Sequence, residues 1–214
     1  MKMLTPEKIR TIYYGNKYLQ LASSDWIGET GIEHWKLSNF TGFAVQLVEW
    51  LQQENKTALL ISHQDFTELK KNFNKCFQKV RAAGGFVFNN QNEMLWIKRK
   101  NRWDQPKGKS LKNELHIITA IREVEEETNV QIRDVIYKVG KTFHIYKEGN
   151  VFCLKKTHWY QLLAEENVVL QPQVEENIEE VIWVKQKDIE SYVEQTYLPI
   201  KQLLRVFLQG TDGA

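Results

Sequence analysis

The chain has 214 residues, of which 42% are hydrophobic and 26% charged, a composition typical of a soluble globular protein. Its formal net charge of +2 predicts no strong attraction to nucleic acid or to a membrane surface. No apolar run approaches the ~18 residues that cross a bilayer, and the N-terminus, MKMLTPEKIR, lacks the apolar core of a secretion signal. Since two cysteines are too few for a disulfide framework, we expect a cytoplasmic protein with reduced thiols.

Residues 1–80 are predicted to form a small α+β unit of unknown role. Gly15 and the asparagine after it lie between short apolar runs, which predicts a β-hairpin. Apolar residues at helical spacing then predict a helix around Phe43–Leu51. A longer apolar stripe from Phe66 to Val80 predicts a second helix, and Asp65 stands near its expected N-cap.

Residues 81–214 show a different pattern and are predicted to form a second domain. Two strands joined by a turn precede a loop at Lys100–Lys112, which leads into a strongly acidic helix. The predicted strands of this part are Gly84–Phe88, Glu93–Arg99, Ile132–Val139, Lys141–Tyr146, Phe152–Leu163 and Val181–Val184. A closing helix or helix pair at Ile189–Leu208 is interrupted at Pro199. A sheet covered by helices indicates an α/β sandwich.

The densest chemical signal lies in Gly108–Val130, GKSLKNELHIITAIREVEEETNV. Because Glu123, Glu126 and Glu127 are spaced i, i+3 and i+4, they share one face of a helix within reach of a single cation. Carboxylate oxygens alone suit magnesium or manganese. Arg122 precedes Glu126 by four residues and can hold that carboxylate through a charged hydrogen bond.

The acidic residues stand at the wrong end of the predicted helix for an isolated charge. Near the C-terminus the backbone dipole favours cations, so each carboxylate there costs about 0.3–1 kcal/mol. A bound divalent cation would reverse that cost, whereas the alternative interpretation is a solvated acidic helix face. The apolar residues lie on roughly the opposite face, at the spacing of a packed stripe: Ile117, Ile121, Val124 and Thr128.

This segment resembles the Nudix box, a signature of hydrolases of nucleoside diphosphates linked to another moiety. Eight of its nine fixed positions are present: Gly108, Glu114, Arg122, Glu123, Val124, Glu126, Glu127 and Val130. The ninth is Asn129 in place of glycine, just past the expected helix end, where asparagine is the usual second choice for a left-handed backbone. Over residues 82–210 the resemblance implies a Nudix-type α/β/α sandwich with a mixed sheet.

The resemblance also implies a metal site and a set of catalytic residues. In the family the box binds magnesium, with manganese as the alternative, against a pyrophosphate. The implied ligands are the main-chain carbonyl of Lys107, the side chains of Glu123, Glu126 and Glu127, and a glutamate outside the box, for which we choose Glu176 among four neighbours. The implied catalytic residues are Arg122, Glu123 and Glu127, with Glu123 preferred as the base because Glu126 is expected to pair with Arg122.

Residues that flank the box carry the only hint about substrate. The motif Trp103-Asp104-x-Pro106-Lys107-Gly108-Lys109 resembles the diadenosine and diphosphoinositol polyphosphate branches, which implies that Lys107 and Lys109 lie beside phosphates. The alternative is that both are solvated loop lysines. Arg99 is either a bidentate phosphate clamp or a solvated strand end. Tyr146 follows Val130 at a spacing that marks the diadenosine branch, where a tyrosine stacks on a base, and the alternative is ordinary packing.

Three functions are therefore open at the level of sequence. The leading one is a magnesium-dependent pyrophosphohydrolase of a nucleoside polyphosphate, including dinucleoside ones. The alternatives are a MutT-like nucleoside triphosphate pyrophosphohydrolase and a non-catalytic nucleotide sensor, which the intact box carboxylates disfavour. We expect a small-molecule nucleotide as the partner, no membrane and no nucleic acid, and a homodimer is left open.

Overall fold

The computed structural model describes residues 9–24, 26, 31–167 and 169–211. The chain forms two compact units, one of Met1–Val80 with Phe143–Lys155 and one of Arg81–Thr142 with Lys156–Ala214. The domain division predicted at residues 80 and 81 stays a prediction. The first eight residues of the N-terminal segment used above lie outside the described ranges. Within those ranges, no helix is both long and apolar enough to cross a membrane.

The first unit combines short strands with two helices. Its elements are β1 (Ile9–Tyr14), β2 (Lys17–Ser23), β3 (Glu33–Lys36), α1 (Phe43–Gln52), β4 (Ala58–His63) and α2 (Phe66–Lys75). Gly15, at φ 56°, closes the hairpin between β1 and β2, so the predicted turn is confirmed. β2 and β3 both pair in parallel with β4, and α1 follows the pattern of the sequence.

Helix α2 begins where the sequence predicts and ends earlier than expected. The Asp65 carboxylate caps it by accepting from the N–H groups of Thr67 and Glu68 at 2.8 and 2.9 Å. The helix stops at Lys75, although the apolar stripe continues to Val80. Phe77 is still buried, but strand pairing resumes at residue 78 and overrides the helical spacing.

The second unit is built on longer strands. Its elements are β5 (Gln78–Phe88), β6 (Met94–Arg99), β7 (Arg102–Asp104), β8 (Lys107–Lys109), α3 (His116–Thr128), β9 (Ile132–Glu148), β10 (Val151–Ala164), β11 (Ile178–Val184), α4 (Ile189–Gln195) and α5 (Leu198–Thr211). Two differences from the prediction stand out. The loop expected at Lys100–Lys112 holds β7 and β8, which pair with β6 and β5, and the two strands expected between residues 132 and 146 are one strand, β9.

Both faces of the second unit's sheet are covered by helices. The strand order is β11-β6-β5-β10-β9. Neighbouring residues of β10 alternate between two cores, since Tyr160 packs with Val124 of α3 and Trp159 packs with Phe207 of α5. The predicted break in the closing helix separates α4 from α5, and Pro199 lies in the first turn of α5, where its missing N–H costs nothing. Since β1 pairs in parallel with the end of β9 in the first unit and β11 pairs antiparallel with β6 in the second, the predicted α/β class with a mixed sheet is confirmed.

The tips of β9 and β10 belong to the first unit. Residues 143–155 supply Ile145, Phe152 and Leu154 to the core that β1, β2, β4 and both helices of that unit share. Ile145 is fully buried there. The first unit is therefore made of two separate stretches of the chain.

Candidate active site

Helix α3 ends as the sequence predicts. Asn129 is its C-cap, with a left-handed backbone at φ 62° and ψ 14°, and its N–H donates to the carbonyl of Glu125 at 2.8 Å. Asparagine tolerates this conformation better than most residues because its short polar side chain can form local hydrogen bonds that offset the steric cost. The replacement of glycine at this position thus leaves the end of the helix intact.

The three carboxylates predicted as metal ligands occupy different environments. Glu127 is only 2% exposed, whereas the side chain of Glu126 is 49% exposed and that of Glu123 is 13% exposed. Helical spacing alone does not distinguish them, because burial depends on what packs above the helix. Across the described parts of the chain, no three His, Cys, Asp or Glu side chains converge as a group able to hold a metal ion.

The carboxylate of Glu127 is buried against the backbone of β8. Its Oε2 accepts a hydrogen bond from the N–H of Lys107 at 2.8 Å. Burial raises the pKa of Glu127 to about 7; the positive charge of Lys107 opposes this shift, and the nearby Asp104 and Glu123 add to it. A buried carboxylate with this pKa is one for which a nearby cation would be strongly favourable.

Gly108 lies directly under the carboxylate of Glu123. A Cβ atom at Gly108 would overlap both carboxylate oxygens of Glu123, so only glycine lets the two groups approach this closely. Glu123 and Glu127 therefore flank the same short stretch of backbone, Lys107–Gly108. This approach gives the glycine of the signature a physical role.

Arg122 joins α3 to the loop before it. Its Nε and Nη2 donate to the two carboxylate oxygens of Glu114 at 2.9 and 3.0 Å, and Nη2 also reaches the carbonyl of Lys109 at 3.1 Å. Its Nη1 lies 2.8 Å from carboxylate oxygens of both Glu123 and Glu126. The predicted pair with Glu126 is present, but Glu123 is held equally, so this pairing does not single out Glu123 as the base.

The ion pair between Arg122 and Glu114 should make stability depend on pH in a defined window. Hydrogen bonds from Arg122 lower the pKa of Glu114 to about 2, below its usual value of about 4.3. A carboxylate with a lowered pKa stabilises the fold above its unfolded pKa, and that contribution is lost as pH falls through the folded one. We expect thermal unfolding of the Arg122→Met variant to depend less on pH between about 4.5 and 2 than that of the wild type. Equal slopes would contradict this role.

The lysines before the helix differ in their surroundings. Lys107 directs its Nζ inward, where it pairs with the buried Asp104 carboxylate and donates to the carbonyl of Gln105 at 3.1 Å. Its charge is thus already compensated within the protein. Lys109 is exposed. From the sequence no role is predicted for Asp104. Its position three residues before Lys107 is the feature of the sequence that indicates an ion pair between them.

The pairing of β6 with β11 brings together two of the predicted site residues. Arg99 donates to Glu176 at 3.1 Å, and the side chain of Glu176 is 52% exposed. Lys98 forms a similar pair with Glu180 at 2.7 Å. The predicted phosphate clamp and the predicted outer metal ligand are therefore partners of each other, and their functional roles stay predictions.

Tyr146 lies in the stretch of β9 that belongs to the first unit. Its ring is nearly parallel to that of His144, with centroids 6.4 Å apart. Its hydroxyl is buried, and burial raises the pKa of Tyr146 to about 12. The predicted stacking of this ring on a base stays a prediction.

Comparison with known proteins identifies a family whose model covers most of the second unit together with residues 143–155 of the first. The model of the NUDIX domain family matches residues 78–205. No curated protein sequence matches the chain significantly. Among solved structures, a MutT protein from Methanosarcina mazei Go1 is 18% identical, with 63% of this chain and 96% of that one covered and a TM-score of 0.48. An Ap4A hydrolase complex from C. elegans is 22% identical, with 63% and 99% covered and a TM-score of 0.47. A MutT protein from Bacillus halodurans is 19% identical, with 59% and 80% covered and a TM-score of 0.47.

Proposed function

This chain belongs to the NUDIX domain family, and from that premise we propose that it is a magnesium-dependent pyrophosphohydrolase of nucleoside polyphosphates. Hydrolysis of a phosphoanhydride follows from membership of the family. The divalent metal and the nucleoside polyphosphate are the proposed part. The observation that carries the proposal is the approach of Glu123 and Glu127 to one stretch of backbone, Lys107–Gly108.

The residues at this place fit a divalent cation in their chemistry. All donors are oxygens, which magnesium and manganese prefer. The raised pKa of the buried Glu127 indicates that its negative charge lacks sufficient compensation without a cation. We propose Glu123, Glu126 and Glu127 as the ligands, together with the carbonyl of Lys107. Since these carboxylates do not converge on one point among the described residues, binding would require Glu123 and Glu126 to turn from Arg122 towards the cation. Glu176 is the proposed outer ligand, which would require it to leave its partner Arg99.

The remaining roles in the proposed reaction are the positioning of the carboxylates and the acceptance of a proton from water. Arg122 is a positioning residue, because it fixes Glu123 and Glu126 relative to the preceding loop. A divalent cation, when bound, polarises the phosphate and lowers the pKa of a water molecule. Glu123 or Glu127 would accept the proton of the attacking water.

The substrate class is proposed from the residues beside the box. The exposed Lys109 presents a positive charge next to Gly108, where the phosphates of a long chain would lie. Lys107 contributes less than its sequence position predicts, because Asp104 neutralises it. The motif that contains both lysines supports a dinucleoside polyphosphate as the specific substrate.

A magnesium-dependent substrate screen with product identification tests the proposal. We expect diadenosine tetraphosphate to yield two nucleotides and no inorganic pyrophosphate, with loss of activity in EDTA. Release of pyrophosphate from a single nucleoside triphosphate would instead identify a MutT-like activity. Tight nucleotide binding without turnover of any substrate would show that the protein is a nucleotide sensor and not an enzyme.

A further inference from the structure

A pair of stacked histidines lies at the start of α3, at the other end of the helix from Glu123, Glu126 and Glu127. The rings of His116 and His158 are 3.8 Å apart at an interplanar angle of 20°. His158 is only 5% exposed, and neither of its ring nitrogens has a hydrogen-bond partner. Nearly all buried polar groups in proteins are paired, so two unpaired nitrogens on one buried ring are unusual and indicate a place where a ligand can bind.

The surroundings of this pair are positively charged. Burial, followed by the neighbouring His116 and by Lys138, Lys156 and Lys141, lowers the pKa of His158 to about 3. Burial is also the main cause of the lowered pKa of His116, and Arg81 and the same three lysines contribute to that shift. Both imidazoles are consequently neutral, so each keeps one N–H donor. The positive charges of Arg81, Lys138, Lys141 and Lys156 act on one or both rings, and the nearby Glu114 carboxylate is already held by Arg122.

The N-terminus of α3, which carries the positive end of the helix dipole, lies at the same place. His116 is the first residue of α3, and the N-cap, Leu115, makes no side-chain capping bond. The first turn contains no acidic residue to complement the helix dipole. The hydroxyl of Ser110 lies 3.4 Å from Nδ1 of His116. Uncapped N–H groups at a helix N-terminus are a common binding site for anions.

We propose that the N-terminus of α3, the stacked pair His116–His158 and the surrounding cations form a second site, which binds a phosphate group. A phosphate oxygen would accept from the first-turn backbone. Because the nitrogens of His158 are buried, the phosphate would reach its unpaired N–H only by displacing the stacked ring of His116. This site is separate from the carboxylate face, because eleven residues of helix place His116 about 16 Å along the axis from Glu127. It does not rest on the proposed function, since it can bind without metal or turnover.

Histidine NMR in EDTA tests the site directly. The full-length protein with ¹⁵N-labelled histidine is titrated with orthophosphate and then with tripolyphosphate, and EDTA keeps metal-bound phosphate from the carboxylate face. We expect saturable shifts of the ring nitrogens of His116 and His158, with little change at His34 and His63. The absence of any saturable shift at the stacked pair would overturn the proposal.

A matched pair of charge variants separates the site from general electrostatics. We expect the double variant Lys138→Met/Lys141→Met to bind tripolyphosphate at least about tenfold more weakly, because charge-assisted contacts are lost. The control Lys185→Met/Lys187→Met removes the same charge from exposed positions elsewhere in the second unit. His158→Phe keeps the ring and removes the nitrogens, so it should weaken binding while the fold is retained. Equal affinity in the first double variant and the control would refute the site.

Kinetics distinguish the source of the phosphate. If the phosphate belongs to a long substrate chain, Lys138→Met/Lys141→Met should raise the KM for the polyphosphate substrate and leave the KM for a short nucleotide unchanged. If it is free phosphate, the substrate KM should stay unchanged while orthophosphate affinity falls. Both results support a phosphate site. Unchanged KM values together with unchanged phosphate affinity would reject it, whatever the outcome for the activity itself.

Discussion

Replacing Glu127 with glutamine is expected to cut turnover at least about 100-fold while the fold stays intact. The side chain keeps its volume, and the amide oxygen can still accept the hydrogen bond from the N–H of Lys107. The change removes a negative charge that is costly to bury, as its raised pKa indicates, so stability should be retained or slightly increased. Steady-state kinetics with magnesium and thermal unfolding measure the two effects.

Glu125→Gln is the matched control for this experiment. Glu125 belongs to the same acidic run, and its Oε1 accepts from the N–H of Ile132 at 3.2 Å, a contact that glutamine preserves. We expect the control to retain nearly all of the activity. Wild-type turnover in the Glu127→Gln variant would show that Glu127 does not bind the proposed metal. Equal losses of turnover in both variants would show that activity depends on the total negative charge of the helix and not on Glu127 itself.

Replacing Gly108 with alanine is expected to abolish most of the activity and to destabilise the protein. The added methyl group would occupy the space of the Glu123 carboxylate, so the side chain must leave or the backbone must shift. Overpacking of this kind costs about 1–3 kcal/mol. Gly108 itself has no unusual backbone requirement, since its φ is not positive, and alanine is otherwise acceptable there. Chemical denaturation and turnover are measured on the same preparations.

A double variant isolates the cause. In Gly108→Ala/Glu123→Ala the methyl group no longer meets a carboxylate, so most of the lost stability should return. Activity should not return, because the proposed ligand or base is absent. If stability remains low in the double variant, the close approach of Glu123 to Gly108 is not the reason for the glycine.

The sequence predicts those features that are decided by neighbouring residues. Asp65 caps α2, Gly15 forms a hairpin turn and Asn129 adopts the left-handed conformation that ends α3. Each depends on the side chain and backbone of a few consecutive residues, for which steric and hydrogen-bonding preferences are strong. The pair Arg122–Glu126 is of the same kind, because helical geometry alone brings the two together.

Features decided by distant parts of the chain are not predicted. The spacing of Glu126 and Glu127 is the same whether they are exposed or buried, and only the packing of β8 over α3 buries the second. The inward turn of Lys107 depends on the burial of Asp104. Likewise, α2 ends early because residue 78 enters a strand. In each instance tertiary contacts outweigh a local pattern.

The two-part construction of the first unit limits how the protein can be divided. A fragment that starts at residue 81 would retain Ile145, Phe152 and Leu154 but lose the side chains that cover them. Exposing one such residue costs about 1.5–3 kcal/mol, and the three together would form an exposed hydrophobic patch that favours aggregation. We therefore expect such a fragment to aggregate unless these three residues are replaced by polar ones. The first unit is consequently not a detachable N-terminal module, because residues 143–155 of the chain are also part of it.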